Sequence, residues 1–340
     1  MTVAADQILC LSSGEAVEPG WDVWKCRGCG RTYPARLGIP DFRPNGGAQP
    51  AEVQTLVKAF ENSSFDELVQ LRMPNFSTTN ERLRAHFAAY RLKMSQRGKH
   101  FYDMARRRAE AAYGPLGRAR ALAIGCGVGA SLIPMARDFG HTFGIDPSLP
   151  DLILAKKAAI QTGVADRVTL IQGYAQSVPL PAESIDFALA EDVLEHVMDL
   201  DGAMQDIGRV LHRKGVFIGN SVNRFNVLRP EPHVKLWFLG FLPRPWQAPY
   251  ARWRRSFFGY DEHTKLPSYW ELRGALRAGI GNDSQVTFPD VATFGFSPKL
   301  DQVLDVIERF PPAAVPLLWV FPSHLAMGRP AKRPPLTRGR

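Results

Sequence analysis

From residue 119 onward, short apolar runs alternate with segments in which apolar residues recur every three or four positions. The apolar runs predict strands at "ARALAIG", "TFGIDP", "VTLIQG", "IDFALAED" and "GVFIGNSV". The periodic segments predict helices at "ASLIPMARDFG", "LPDLILAKKAAIQTG" and "LDGAMQDIGRVLHR". Strands that alternate with helices at this spacing form β-α-β units. We therefore predict a doubly wound α/β fold with a mostly parallel sheet.

The rest of the chain divides around this core. Proline, tryptophan and arginine interrupt the pattern in an insertion at 223–267, which we place over the carboxyl edge of the sheet, where open α/β folds bind ligands. The pattern resumes with the helix "SYWELRGALRAG", the strand "SQVTFPDV", a helix around 299–310 and a last strand near "SHLAMGR". The predicted organisation is a small module at 1–45, a helical lead-in at 53–115, the α/β domain at 116–330 and a basic tail at 331–340.

Composition describes an ordinary globular protein, with 45% hydrophobic and 22% charged residues among 340. No apolar run is long enough to span a bilayer, and "MTVAADQILC" lacks the features of a signal peptide, so we expect a cytoplasmic protein. Much of the net charge of +9 lies in "RWRRS" and in the tail "GRPAKRPPLTRGR". These segments are either solvated chain or a contact with anionic lipid or nucleic acid.

A glycine-rich loop follows the first strand of the α/β core. Gly125, Gly127 and Gly129 precede Ala130, in the G-x-G-x-x-G/A spacing of dinucleotide sites, and a loop for S-adenosylmethionine (SAM) has the same form. Both ligands need a backbone without side chains and with positive φ angles. Asp146 ends the second strand about twenty residues later, where a carboxylate accepts ribose hydroxyls, although it also suits a turn before Pro147. NAD and SAM both remain open on these residues.

The segment "GYAQSVPLPAESIDFALAEDVLEHVMDLDGAMQDIGRVLHRKGVFIGN" resembles the stretch from the adenine loop to the fifth strand of class I SAM-dependent methyltransferases of type 11. The resemblance covers about 119–222 and implies SAM as the cofactor on a seven-stranded Rossmann-like methyltransferase fold. It implies cofactor contacts from the glycine loop to methionine, from Asp146 to ribose and from 174–176 to adenine. The implied set is Gly125, Cys126, Gly127, Gly129, Asp146, Pro147, Tyr174, Ala175, Gln176, Glu191 and Asp192.

The chain departs from the methyltransferase pattern at three positions. Ala123 replaces the acidic residue usually found two places before the first glycine, which removes a polar contact to the cofactor's amino group. Tyr174 and Gln176 replace acidic residues of the adenine loop. A tyrosine can still stack beside adenine or hydrogen-bond to it, so the cofactor prediction stands.

The N-terminal module contains three of the four cysteines. Cys26-x-x-Cys29 forms a knuckle with Gly28 and Gly30, and the matching position upstream reads Cys10-Leu-Ser-Ser13. With "CGRTYPARLGIPDF", the module resembles the zinc-ribbon-like part of the small activator subunit of tRNA and protein methyltransferases. Cys10, Cys26 and Cys29 are candidate zinc ligands, and Ser13 in place of a fourth thiolate predicts at most substoichiometric zinc. The alternative is a metal-free module held by Trp21, Trp24, Tyr33 and Phe42.

Methyl transfer from a sulfonium needs alignment of the acceptor, and it needs a base only for a weak nucleophile. Cys126 lies inside the glycine loop, and "EDVL" stands where an N-P-P-Y or D-P-P-Y motif would mark amino-group DNA methylation. We therefore predict an oxygen acceptor, or an activated nitrogen or carbon. His233, in "RPEPHVKLW", and His196, in "LEHV", are the candidate bases, and His263 is a further candidate. A surface loop position for His233 and a turn-fixing role for His196 are the alternatives.

These observations favour an O-methyltransferase that acts on a small molecule, a glycan or a lipid-linked precursor. The aromatic residues of the insertion suit an apolar or sugar acceptor or a peripheral membrane contact, unless they pack in the core: Trp237, Phe238, Phe241, Trp246 and Trp253. An RNA base methyltransferase is the second interpretation, because the chain is basic and ribosomal RNA guanine methyltransferases can carry an N-terminal zinc module. A non-catalytic scaffold is the third.

Overall fold

The computed structural model describes residues 8–44, 46, 48–72, 81–254, 264–289, 302–304, 306–307 and 309–330. His263, the basic tail predicted at 331–340 and much of the helix predicted around 299–310 lie outside the described residues. The chain divides into two compact units. The first comprises Met1–Leu189 with Arg209–Gly215, and the second comprises Ala190–Gly208 with Val216–Arg340.

A four-stranded antiparallel sheet forms the N-terminal module. Its strands are β1 (Val17–Glu18), β2 (Val23–Cys26), β3 (Thr32–Arg36) and β4 (Ile39–Pro40), paired in that order. Exposed and buried side chains alternate along β2 and β3, which places Trp24 and Tyr33 inside, and Tyr33 stacks on Phe42 with ring centroids 4.1 Å apart. The metal-free alternative also placed Trp21 in this core, but 53% of the Trp21 residue is exposed. The Lys156 ammonium lies over its ring, 5.0 Å from the centroid.

Three helices follow the module in the first unit: α1 (Glu52–Ala59), α2 (Phe65–Arg72) and α3 (Glu81–Tyr113). The guanidinium of Arg72 is buried and pairs with Glu52 and Asp151, which ties α2 to its neighbours. The sequence predicted a helical lead-in at 53–115, and α3 is one unbroken helix within that range. Helix α3 stops at Gly114 because that residue has a φ of +79° and its N–H bonds to the Glu110 carbonyl.

The large sheet contains seven strands. They are β5 (Arg120–Ile124), β6 (His141–Asp146), β7 (Val168–Gln172), β8 (Ile185–Ala190), β9 (Leu211–Val222), β10 (Asp283–Thr287) and β11 (Ser323–Arg329). Their order is β10-β11-β9-β8-β5-β6-β7. Strands β5, β6 and β7 pair in parallel, whereas β11 pairs antiparallel with both β9 and β10. This mixed, mostly parallel sheet confirms the predicted fold class.

The described helices of this part of the chain are α4 (Leu132–Asp138), α5 (Leu149–Gln161), α6 (Leu200–Val210), α7 (Arg244–Trp253), α8 (Tyr269–Gly279) and α9 (Pro311–Val320), with short 3₁₀ turns at Ala165–Arg167, Leu194–His196 and Leu239–Phe241. The periodicity predicted α4, α5, α6 and α8, but it did not predict α7 or α9. One predicted boundary is wrong. The helix was expected to run through "LHR", but α6 ends at Val210 and β9 begins at Leu211, because a long strand overrides the local helical preference.

Two glycines allow close packing within the second unit. A Cβ on Gly279 would lie 2.3 Å from the carbonyl carbon of Met204, and one on Gly208 would lie 2.1 Å from the carbonyl oxygen of Gly279. Backbone atoms cannot give way as the end of a flexible side chain can. Helices α6 and α8 therefore approach each other at a distance that only glycine permits.

We expect Gly279→Ala to lower the free energy of unfolding by about 1–3 kcal/mol, because the added methyl group overpacks this contact. Gly274→Ala in the same helix is the matched control, since no atom lies within 4 Å of its Cβ position and alanine favours the helix by about 0.5–1 kcal/mol. Urea denaturation of both variants measures the difference. Equal stability of the two variants would contradict the packing described here.

Candidate functional site

The glycine loop connects β5 to α4 in the first unit. Gly125, Gly127 and Gly129 have φ angles of +59°, +49° and +90°, a region that other residues rarely adopt. The N–H of Gly129 donates to the Cys126 carbonyl at 2.8 Å, which closes the turn. A Cβ on Gly127 would find no atom within 4 Å, so the loop borders open space there. The sequence prediction of a side-chain-free cradle corresponds to this geometry.

Asp146 holds the glycine loop from the end of the neighbouring strand β6. Its Oδ2 accepts the Gly127 N–H at 2.9 Å, and its Oδ1 accepts the Ser148 N–H at 2.8 Å. Burial and the Asp151 carboxylate together raise the pKa of Asp146 to about 7, although the two backbone donors lower it. Each oxygen retains a lone pair for another donor, so the carboxylate fits the two ribose hydroxyls of SAM. Asp146 thus stabilises the turn at Ser148 and is also suited to bind the ribose hydroxyls.

The predicted adenine loop lies beside Asp146. The N–H of Gly173 donates to the Asp146 carbonyl at 3.1 Å, and the next turn closes from Ser177 to Tyr174 at 3.1 Å. Tyr174 and Gln176 are exposed, whereas Ala175 is buried. Exposed Pro147 follows Asp146 directly and accepts the Gln172 side-chain amide at 3.0 Å through its carbonyl. The predicted cofactor residues of the first unit therefore share one edge of the parallel strands.

Cys126 occupies the same loop but is unsuited to nucleophilic chemistry. The side chain is buried, and burial raises its pKa well above the ordinary value, with Asp146 adding to the effect. A thiol held in its protonated form is a small apolar residue. This supports the exclusion of cysteine-mediated methylation.

Helix α3 packs against the glycine loop through another glycine. A Cβ on Gly98 would lie 2.3 Å from the backbone carbonyl carbon of Ala130. The helical lead-in therefore touches the loop backbone itself, and Tyr102 fixes the helix by donating to Asp138 at 2.7 Å. This contact gives the lead-in a direct structural connection to the cofactor loop.

The second unit carries Glu191 and Asp192 directly after β8. Asp192 has a φ of +52°, which is strained for a residue with a side chain. Its N–H donates to Asn220 Oδ1 at 2.8 Å, and the Asn220 amide donates back to its carboxylate. Glu191 is half-buried. The Asn220 side chain stabilises the left-handed conformation and orients the Asp192 carboxylate.

Three side chains of the second unit form a cluster that sequence reasoning recognised only in part. Glu195, His196 and His233 each offer a ligand atom, and these atoms lie within 4.8 Å of one another. The rings of His196 and His233 meet edge to face with centroids 5.0 Å apart. Glu195 is buried, and its Oε2 has no hydrogen-bond partner within the described part of the chain. Such a group of donors can handle a proton or bind a cation.

Buried carboxylates control the chemistry of the histidine cluster. Burial and, to a lesser extent, the nearby Asp192 carboxylate raise the pKa of Glu195 to about 8. Glu231 is buried and accepts a hydrogen bond from Nδ1 of His233, while its other oxygen accepts the Val234 N–H at 2.8 Å. Burial lowers the pKa of His233, but Glu231 more than offsets this, so that the pKa is raised.

Sequence reasoning missed Glu195 and Glu231. Both stand close to a histidine that it singled out, at positions 195–196 and 231–233. An acidic residue near a candidate base is the signal that was available. Only the burial of both carboxylates distinguishes them from ordinary surface charges.

The insertion presents an exposed aromatic surface. Its five members are Trp237, Phe238, Phe241, Trp246 and Trp253, each between 51% and 73% exposed. Packing in the core, one alternative for these residues, is therefore wrong. Arg244, Arg252 and Lys235 lie in the same segment of the chain. No described helix has the length and apolar character needed to cross a membrane.

The three N-terminal cysteines lie together, as their spacing predicted. Their sulfur atoms are within 4.8 Å of one another, and Cys10 Sγ is 3.7 Å from Cys29 Sγ. Burial raises the pKa of Cys10, but hydrogen bonds from Tyr33 and Ser13 lower it to about 6. The Ser13 hydroxyl likewise lowers the pKa of Cys26. All four cysteines are free thiols.

Comparison with known proteins assigns the central segment. Residues 122–219 match the family model described as a methyltransferase domain. These residues are a SAM-dependent methyltransferase domain. The glycine loop, Asp146 and the Glu195–His196 turn all fall inside this methyltransferase domain.

The chain spans about half the length of the curated relatives that it matches. Over 110 residues, the chain is 34% identical to the ubiquinone biosynthesis O-methyltransferase of Azorhizobium caulinodans, a match that covers 32% of this chain and 43% of that protein. It is 28% identical over 144 residues to the uncharacterized methyltransferase YcgJ of Bacillus subtilis, covering 39% and 55%. Geranyl diphosphate methyltransferase in complex with SAM overlays with a TM-score of 0.46 at 15% identity, covering 77% of this chain and 95% of that one.

We expect Asp146→Ala to weaken SAM binding by roughly 1.5–3 kcal/mol, the scale for removing a charged hydrogen-bond partner. Gly127→Val should abolish binding, because the side chain would enter the open space beside the loop and strain its positive φ. Gly163→Val is the matched control, since Gly163 has a φ of +72° and an equally open Cβ position outside the loop. Titration calorimetry measures all three. Unchanged affinity in Asp146→Ala and Gly127→Val would overturn this cofactor site.

Proposed function

We propose that this chain is an O-methyltransferase whose acceptor is a small hydroxylated molecule of apolar or lipid-linked character. The observation that carries the proposal is the hydrogen bond between buried Glu231 and His233, beside His196 and Glu195. A hydroxyl is a weak nucleophile near neutral pH, so its methylation benefits from a positioned base. A nucleophile that is already activated would not need this arrangement.

The roles of the residues follow from the hydrogen bonds. SAM would supply a methyl group that is already activated, and the glycine loop and Asp146 would hold this cofactor. Because the carboxylate of Glu231 accepts a hydrogen bond from the Nδ1–H of His233, Nε2 is left as the acceptor nitrogen. We infer that the acceptor hydroxyl loses its proton to Nε2 of His233, and that Glu231 stabilises the resulting imidazolium. His196 lies against this ring and is the second candidate for the same role.

The exposed aromatic surface of the insertion supports an apolar or lipid-linked acceptor. Tryptophan side chains favour the boundary between water and an apolar phase, and the basic residues of the same segment complement anionic headgroups. The relative from Azorhizobium caulinodans is an O-methyltransferase of ubiquinone biosynthesis by its name. Both points favour a hydroxylated apolar acceptor over RNA, and a glycan acceptor has less support.

Transfer of labelled methyl groups from SAM to simple and to prenylated phenols tests the function. We expect His233→Ala to lower turnover on the order of 10² to 10⁴, the usual contribution of a general base, while SAM affinity stays nearly unchanged. His196→Ala is assayed beside it. Full turnover in the first variant with a large loss in the second would assign the base to His196. Full turnover in both would contradict base catalysis, and no transfer to any phenol would contradict the acceptor class.

The pH dependence separates Glu231 from a purely structural residue. The base must be unprotonated, so turnover rises with pH through the pKa of His233, which Glu231 raises. Removing the charge in Glu231→Gln should lower that pKa and move the acidic limb of the kcat profile to lower pH. Maximal turnover should fall, because the imidazolium loses its stabilising charge. Glu183→Gln, at an exposed ion pair with Arg213, is the control, and an unmoved acidic limb in Glu231→Gln would argue against His233 as the titrating base.

A further inference from the structure

Two turns of the N-terminal module repeat the same backbone geometry. In the second, Cys26 donates its N–H to the Arg31 carbonyl at 2.8 Å, and Gly30 donates to the Cys26 carbonyl at 3.2 Å. In the first, Cys10 donates to Glu15 at 2.8 Å, and Gly14 donates to Cys10 at 2.9 Å. The two glycines have φ angles of +73° and +72°. Residues 10–15 and 26–31 are thus equivalent turns.

This equivalence defines the position of Ser13. Cys29 stands three residues after the first cysteine of its turn and just before the left-handed glycine, and Ser13 occupies the same place in the other turn. The Ser13 hydroxyl lies 3.2 Å from Cys26 Sγ, which is one of the three clustered sulfur atoms. Ser13 is therefore the fourth corner of the cluster.

The spacing of the sulfur atoms suits a tetrahedral ion. With a zinc–sulfur bond of about 2.3 Å, two thiolates of a tetrahedral site lie roughly 3.8 Å apart. Cys10 Sγ and Cys29 Sγ are 3.7 Å apart. The Cys29 N–H also points at Cys26 Sγ, at 3.4 Å, a contact that stabilises a charged sulfur. The described side chains fit zinc at three corners, with an oxygen at the fourth.

We propose that Cys10, Cys26, Cys29 and Ser13 form a pre-shaped zinc site that binds one ion reversibly, with Ser13 as the weak corner. A neutral serine hydroxyl is a poor zinc ligand compared with a thiolate, so the ion exchanges and purified protein retains little of it. The backbone still has the shape of a four-ligand site. Replacing the Ser13 oxygen with sulfur should therefore convert this weak zinc site into a tight one.

The test compares two serine variants in the full chain, reduced and stripped of metal with a chelator. Ser13→Cys should bind Zn²⁺ more tightly than the wild type by on the order of 10²-fold or more, measured against a chromophoric chelator. Ser12→Cys is the matched control, because it adds a thiol one residue away on an exposed side chain outside the corner. We expect no gain there.

Cobalt spectroscopy reports directly which ligand atoms bind the metal, in addition to how tightly it binds. Co²⁺ bound to the wild type should show thiolate-to-metal charge-transfer absorption, which increases in Ser13→Cys and is lost on adding excess Zn²⁺. Three results would each overturn the proposal: no thiolate absorption in the wild type, no tighter binding in Ser13→Cys than in Ser12→Cys, or wild-type binding as tight as that of Ser13→Cys. The wild-type spectrum decides the matter if Ser13→Cys does not fold.

Discussion

The conformation of the glycine loop depends on one buried carboxylate at the end of β6. Asp146 accepts the Gly127 N–H and the Ser148 N–H, so the same side chain holds the glycine loop and the turn that starts α5. Its burial makes the negative charge costly unless donors surround it. Backbone N–H groups provide two of those donors, and a ribose can provide more. The glycine loop and the turn at Ser148 therefore both stabilise the charge of Asp146, and ribose hydroxyls would add to this stabilisation.

Buried carboxylates also lie beside the two histidines of the second unit. Glu231 holds the His233 ring, and Glu195 lies beside both histidines with one oxygen unpartnered in the described chain. A buried acid raises the pKa of a neighbouring histidine and fixes its tautomer. A buried carboxylate at the end of a strand provides one site suited to a ribose, and buried carboxylates in a 3₁₀ turn and a loop provide another suited to a proton.

The two turns of the N-terminal module have the same backbone geometry although only one of them carries two cysteines. Gly14 and Gly30 impose the same turn on both halves, whether a serine or a cysteine precedes the glycine. Backbone hydrogen bonds and the Tyr33–Phe42 stack stabilise the module independently of the corner residue. The ligand at position 13 can therefore affect affinity without altering the fold.

Local patterns in the sequence determined the strands of the large sheet, α4, α5, α6 and α8, and the glycine loop, because periodicity, glycine spacing and a strand-end carboxylate act over a few residues. The spacing of Cys10, Cys26 and Cys29 also predicted that their side chains lie together. Tertiary structure alone decided that Trp21 and the aromatic residues of the insertion are exposed and that α6 yields to β9 at Leu211. It also decided that Glu195 and Glu231 are buried beside histidines. Burial and pKa depend on residues far apart in the chain, and no local pattern carries that information.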